Sequence, residues 1–239
     1  MRGNKKAELA NLHRQGSGTG RGRREGSGSP LQRERIVATA LALVDRDGLK
    51  ALSMRRLGAE LGVDPMAVYY HIPNKQALLD AIVEAVMAGI DLSIDNPAEP
   101  PEQRILRAAH AYRDAMLAHV KALPIVLSHG PATAAALRPV ELLTGILREA
   151  GLAPGQALAG MNVLAAAVRG FAGMIAAGGN KKPSPEEIEA LALNFPAGEF
   201  PYLREAMRHA GEFSDRGFDF GLRSLARGLL AEARSGLPD

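Results

Sequence analysis

The chain has 239 residues, 46% of them hydrophobic, a formal net charge of +3 and no cysteine. That length holds one large or two modest domains, and the missing cysteines exclude disulfides, thiolate metal sites and thiol nucleophiles. No uncharged apolar run has the length and character of a membrane span, the nearest, Ala157 to Ala177, carrying Arg169. The basic opening lacks the apolar segment of a secretory signal, so the expectation is a cytoplasmic protein with no membrane association.

The charge is unevenly placed: 14 Lys and Arg stand against 8 Asp and Glu through Asp80, and 15 against 18 from Ala81 onward. A basic front suits a chain whose first part meets a polyanion. Residues 1–30 read as a disordered basic leader, because "RQGSGTGRGRREGSGSP" has little apolar surface to repay the cost of ordering its glycines. Its Arg21, Arg23 and Arg24 are suited to lie along phosphates or in a minor groove, the alternative being an unstructured leader with no fixed contacts.

From Leu31 the pattern becomes helical. Ile36, Val37, Ala40, Leu43 and Val44 recur at helical spacing, and Gly48 supplies a stop. Ser53 is an N-cap for a helix carrying Leu57 and Leu61, which Gly62 ends. Asp64 caps the next helix, with Pro65 in its first turn where a missing N–H costs least. Pro73 closes that helix, and Asn74 caps one running from Lys75 to roughly Leu92. Elements this short must share a core, for which Leu57, Leu61, Val63, Val68, Ile72, Leu78, Leu79 and Ile82 are the contributors.

The helix over about 64–72 offers Met66, Ala67, Tyr70 and His71 beyond its buried side. Small apolar groups at its start can lie against thymine methyls, while a phenol or imidazole can reach phosphate or a base edge. Arg55 and Arg56 stand on the preceding helix, and Lys75 opens the following one, where a phosphate can be held. A plainer reading has the tyrosines filling core, His71 capping a helix end and the arginines facing solvent. Either way, Tyr69 or Tyr70 must pack inward or against the helix flank.

After the proline-rich break "DNPAEPPE" nearly every segment reads helical: about 102–121, 124–129, 132–150, 154–178, 185–193 and 215–235, with a turn or two of helix from Pro201. "AAGGNKKPSP", Ala176 to Pro185, is expected to be a flexible connection. The fold class is therefore all-α: a helix-turn-helix domain over 31–92 joined to a larger helical domain over 101–239. The histidines are scattered, and neither a paired His motif, a phosphate-cradling glycine loop nor a nucleophile–base arrangement is present. No catalytic residue, metal site or cofactor is expected.

Residues 33–82, "RERIVATALALVDRDGLKALSMRRLGAELGVDPMAVYYHIPNKQALLDAI", resemble the amino-terminal DNA-binding domain of the tetracycline-repressor (TetR) family. By that resemblance Arg55 is a base-contacting arginine, and Met66 and Ala67 face base edges. Tyr69, Tyr70 and His71 form the phosphate-contacting end, and Lys75 is the phosphate-binding lysine. Pro65 stands where the tetracycline repressors have a base-reading glutamine, which implies a different operator. The resemblance also implies a homodimer on a twofold-related site in double-stranded DNA, built through helices late in the chain. "AYRDAMLAHVKALPIV" and "FPYLREAMRHAGEFSDRGFDFGLRSLARGLLAE" are loosely similar to the tetracycline-repressor subgroup.

Interface candidates are Leu164 and Val168 in the small-residue run, and the stripe Phe218, Leu222, Leu225 and Leu229; the alternative places all of them in one subunit's core. The family's small hydrophobic effector implies a pocket, with His110, Met116, His119, Leu123, Met161, Leu164, Phe171 and Met174 as candidates; the alternative for each is a place in the ordinary core. His119 lies near the position resembling the histidine of the magnesium–tetracycline site, but no partner carboxylates or polar ligands accompany it, so neither magnesium nor tetracycline is expected. The implied function is a repressor released from DNA by its effector. An activator of the same fold and a helical protein-interaction module without specific DNA binding are the alternatives.

Overall fold

A computed structural model describes residues 31–129, 133–179, 184–194, 198–207 and 215–235. The basic leader and residues 180–183 of the expected connection lie outside the described residues. Among the described residues all regular structure is helical. Helices α1 (Arg33–Asp47), α2 (Met54–Leu61), α3 (Pro65–His71) and α4 (Lys75–Ala88) form the first part of the fold. They are followed by α5 (Pro101–Ala118), α6 (Leu123–Ser128), α7 (Ala134–Glu149), α8 (Pro154–Met174), α9 (Pro185–Leu193), α10 (Pro201–Met207) and α11 (Asp215–Ser235).

The local signals act where the sequence places them. Ile36, Val37, Ala40, Leu43 and Val44 form the buried stripe of α1, and Gly48 ends it at φ 82°. The Ser53 hydroxyl accepts from the Arg56 N–H at 3.2 Å, the Asp64 carboxylate from the Met66 N–H at 2.8 Å, and the Asn74 side-chain oxygen from the Ala77 N–H at 2.8 Å. Leu57, Leu61, Val68, Ile72, Leu78 and Ile82 are buried together, whereas Val63 and Leu79 are only half-buried.

Helix α4 stops before Leu92. The Gly89 N–H closes on the Ala85 carbonyl, and Asp91 then turns the chain by accepting from both the backbone and the hydroxyl of Ser93. Those bonds hold the Asp91 carboxyl below the usual carboxylate range. They also offer the backbone an alternative to another helical turn.

Helix α1 packs on α2 and α4, and α2 on α3. Helix α4 also packs against α5, α6 and α7, so the first four helices are seated directly on the rest. Helices α5, α7 and α8 pack on one another, and α11 covers α5 and α8. The proline-rich break is pinned by Arg104 of α5, which is 6% exposed. It donates to both oxygens of Asp95 at 2.9 Å and to Glu149 at the end of α7. Hydrogen bonding from Arg104 holds the Asp95 carboxyl below its ordinary range and raises the guanidinium in turn.

Helix α8, with the turn that extends it to Gly178, is long and apolar enough by length and composition to cross a bilayer. In this fold one stripe of it, Ala157, Gly160, Met161, Leu164, Val168 and Ala172, is buried against α5, α7 and α11. Its opposite side leaves Leu158 51% and Val163 48% exposed.

Candidate functional site

The first part of the site is the α2–turn–α3 unit. Gly62 adopts φ 71°, ψ 28°, a left-handed conformation that costs other residues about 1–2 kcal/mol. Its N–H and that of Val63 close on carbonyls at the end of α2, to Ala59 at 3.2 Å and Gly58 at 2.9 Å. Gly58 serves a different purpose. A Cβ there would meet the Val63 carbonyl oxygen at 3.1 Å and the Pro65 Cα at 3.2 Å, so the missing side chain lets α3 start against α2.

With its start fixed, α3 turns Val68, and the C-cap Ile72 beyond it, inward, at 0% and 1% exposure. The other side is left open: Met66 is 71% and Tyr70 88% exposed, with Ala67 half-buried. The structure buries neither tyrosine. Tyr69, at 41%, lies on the flank, and the Tyr70 ring meets His71 edge-on at 5.3 Å between centroids. Arg55 and Lys75 are exposed and, among the described residues, hold no carboxylate.

Arg56 differs from its neighbour, since it ion-pairs with Asp47 of α1. Arg46 joins the same cluster through Asp47 and a two-pronged contact with Glu60 of α2, which holds the Glu60 carboxyl below its ordinary range. Arg56 and Arg46 thus brace α1 against α2, leaving Arg55 as the open cation of α2.

The second part is a partly open cavity of about 210 Å³ bordered by α4, α5, α7 and α8 and by the end of α6. Its walls are mainly aliphatic: Val83 and Met87 from α4, Ala109 from α5, Leu137, Val140 and Leu143 from α7, and Met161, Leu164 and Val168 from α8. Pro139, inside α7, also faces it. The polar contributors are Tyr112, His129, Asn162 and Arg169. Burial raises the Tyr112 phenol above its ordinary range, opposed by the nearby Arg169 guanidinium.

His129 links this cavity to the first part of the site. Its Nε2 lies 2.7 Å from the side-chain nitrogen of Gln76, the residue after Lys75. Gln76 in turn donates to Asp80 at 3.0 Å, one turn along α4.

Of the pocket residues expected from sequence, Met161 and Leu164 line this cavity, and the structure places the others outside it. His110 faces Asp219 of α11 at 3.0 Å and the edge of Phe218, and Phe171 lies against Phe218 with centroids 4.5 Å apart. Met116 and Leu123 are enclosed in the core at 0% and 1% exposure, while Met174 is 37% exposed. His119 is turned toward the first four helices, its Nδ1 2.8 Å from Asp45 of α1. The reason is geometric. Successive helical residues point about 100° apart, so the same α5 that aims Ala109 and Tyr112 inward aims His110 aside, whereas Met116 shares their face and lies further along the helix, in the core.

The expected interface residues also lie differently. Leu164, Val168, Phe218 and Leu222 are buried within the chain, and Leu225 and Leu229 are half-buried. Leu229 closes over Gly160, where a Cβ would come within 3.1 Å of its methyl. The large apolar groups left most open on these two helices are Leu158 and Val163 of α8 and Phe220 of α11, the last 75% exposed.

Comparison with known proteins matches the bacterial regulatory proteins of the tetR family over residues 36–82 and the tetracyclin repressor-like C-terminal domain over 96–233. An HTH-type transcriptional regulator of Saccharopolyspora erythraea is 28% identical over 222 residues, covering 85% of this chain and 86% of that protein. Tetracycline repressor class C of Escherichia coli is 38% identical over 103 residues, 39% of this chain, and the match spans 47% of that repressor's length. Among solved structures, ActR of Streptomyces coelicolor in complex with actinorhodin superposes with a TM-score of 0.72 at 30% identity, covering 86% of this chain and 99% of that one.

Proposed function

This chain belongs to the TetR family of bacterial regulatory proteins and is a DNA-binding regulator of transcription, not an enzyme; from that premise we propose that it is a homodimeric repressor released from its operator by a small molecule in the α4–α8 cavity. Residues 31–92 form the reading domain and 101–239 the effector and dimer domain. The observation that carries the reading is the display of α3. Val68 and Ile72 are fully buried and its start is fixed by Asp64, yet Met66 and Tyr70 stand exposed, as do the uncommitted Arg55 of α2 and Lys75 of α4.

A helix so held presents Met66 and Ala67 to base edges, with Arg55 reaching a base from α2. Tyr69, Tyr70, His71 and Lys75 meet phosphates. Two copies joined rigidly demand a twofold-related site. The joint proposed is the open side of α8 and α11, through Leu158, Val163 and Phe220, rather than the inward stripes. Occupation of the cavity acts on α4 through Val83, Met87 and the His129–Gln76 contact. The actinorhodin complex of ActR supports a ligand-responsive member at this level of similarity.

The test is selection of DNA from a random pool by the purified protein. A twofold-related preferred sequence is expected, and placing it across a promoter should lower transcription. If the folded protein selects no sequence, the reading fails; if transcription rises instead, it is an activator.

A further inference from the structure

We propose that the cavity takes an organic acid: an apolar body of one or two rings whose carboxylate sits against the Arg169 guanidinium and the Tyr112 hydroxyl. The inference rests on the cavity being the effector site and names the chemistry that the site selects.

Arg169 is the one permanently charged side chain among the cavity's lining residues, and no Asp or Glu lines it. Elsewhere this chain answers sheltered arginines with carboxylates. Arg104, at 6% side-chain exposure, holds Asp95 and Glu149, and Arg113, at 15%, holds Asp114. Arg169 has no carboxylate partner among the described residues; its polar neighbour in the cavity wall is the neutral Tyr112 phenol. A guanidinium carries five N–H donors, and one phenol oxygen leaves most of them unanswered. An apolar wall makes an unanswered charge costly.

A carboxylate fits that vacancy in charge and shape, because it accepts two parallel N–H bonds from the guanidinium fork. The Tyr112 hydroxyl, which lines the cavity with Arg169, can donate its proton to the same carboxylate. An ammonium ligand would meet a like charge at short range, and a neutral one would leave the arginine as it is. The volume limits the rest of the molecule. At about 210 Å³ the space lies below the roughly 300–1,000 Å³ of drug-sized sites, so the body is small, and the aliphatic walls require it to be apolar.

The placement of Arg169 also suits a signal. It sits on α8 and Tyr112 on α5, while α4 walls the cavity with Val83 and Met87. An acid anchored on α5 and α8 therefore presses its ring body toward the helix that carries Lys75.

The probes are a matched set: 1-naphthoate, 1-naphthamide and 1-naphthylmethylamine, titrated into the full-length protein by calorimetry. The expected result is naphthoate binding about tenfold or more tightly than naphthamide, with the amine weakest. Arg169→Met should remove the acid's advantage and leave naphthamide unchanged, while Arg169→Lys should keep part of it. Equal or tighter binding of the amide or the amine, undiminished naphthoate binding by Arg169→Met, or no binding by any probe overturns the assignment. The wild-type ranking decides even if the Met variant does not fold.

A second reading by fluorescence anisotropy follows release from the selected operator. Arg169-dependent binding without release supports the acid site and removes the effector role. Release by naphthamide in preference to naphthoate overturns the acid site and keeps that role.

Discussion

Arg55 and Lys75 are both exposed cations without carboxylate partners among the described residues, yet they stand on different elements. Arg55 rides on the first turn of α2, and Lys75 opens α4 next to a capping Asn74. If Arg55 reads a base edge, Arg55→Ala should cost about 1–3 kcal/mol at one operator position and relax the preference there. Lys75→Ala should weaken all sequences alike and lower the salt slope of binding by about one unit. Binding of a panel of single-base operator variants at several salt concentrations separates the two. Arg56 offers the contrast: bonded to Asp47, its loss should act on stability rather than on reading.

At the scale of elements, α4 is the shared part. It packs on α1, walls the cavity and carries Lys75. The His129–Gln76 contact couples the end of α6 to its first turn. Gln76→Ala should therefore leave ligand affinity nearly unchanged and reduce the ligand's effect on operator affinity by a few-fold, read as the ratio of DNA dissociation constants with and without ligand.

The Arg104 cluster fixes the break between α4 and α5. Arg104→Met removes one partner of a buried pair and should cost about 3–5 kcal/mol in urea unfolding. Its pH dependence has a definite sign. Because Arg104 holds the folded Asp95 carboxyl below its ordinary range, the unfolded chain takes up that proton first as the pH falls. The cluster's contribution is full above about pH 4 and declines as the pH drops through the folded value. Arg104→Met should lose that part of the acid sensitivity.

At the scale of the whole molecule, one side of α8 and α11 is left apolar and open. Leu158, Val163 and Phe220 are between 48% and 75% exposed. Burying such a face in a second copy would return its apolar area at roughly 25 cal/mol per Å². Val163→Asp together with Phe220→Asp should give a folded monomer by sedimentation, with α-helical content kept and operator affinity greatly reduced. A dimer that survives the double change would move the interface elsewhere.

The local plan of the reading domain was legible in the chain because its signals are local. Ser53, Asp64 and Asn74 cap where a side chain reaches two or three residues ahead, and Gly62 takes the left-handed conformation that ends α2. The helical periodicity of Ile36 to Val44 likewise names its own buried stripe. The end of α4 was less plain, since Asp91 and Ser93 compete with the helix through a turn that outweighs apolar continuity to Leu92.

Which residues face the cavity and which the outside was decided only by tertiary structure. Helix α8 is apolar nearly all round, so its sequence fits a buried stripe on either side. Packing on α5, α7 and α11 turned Leu164 and Val168 inward and Val163 outward. Likewise His110, Met116 and His119 share α5 and its end with Tyr112, and the docking of that helix, by angle for His110 and by distance along it for Met116 and His119, assigns them to Asp219, the core and Asp45. Arg169 stood in the sequence as a charge inside its most apolar stretch; the fold supplied the cavity beside it and left it without a carboxylate among the described residues. Caps, turns and periodicity depend on neighbours a few residues away, and so the sequence by itself determined the helices and the displayed reader. The cavity and the open face depend on the relative rotation of helices far apart in the chain, which packing alone fixes.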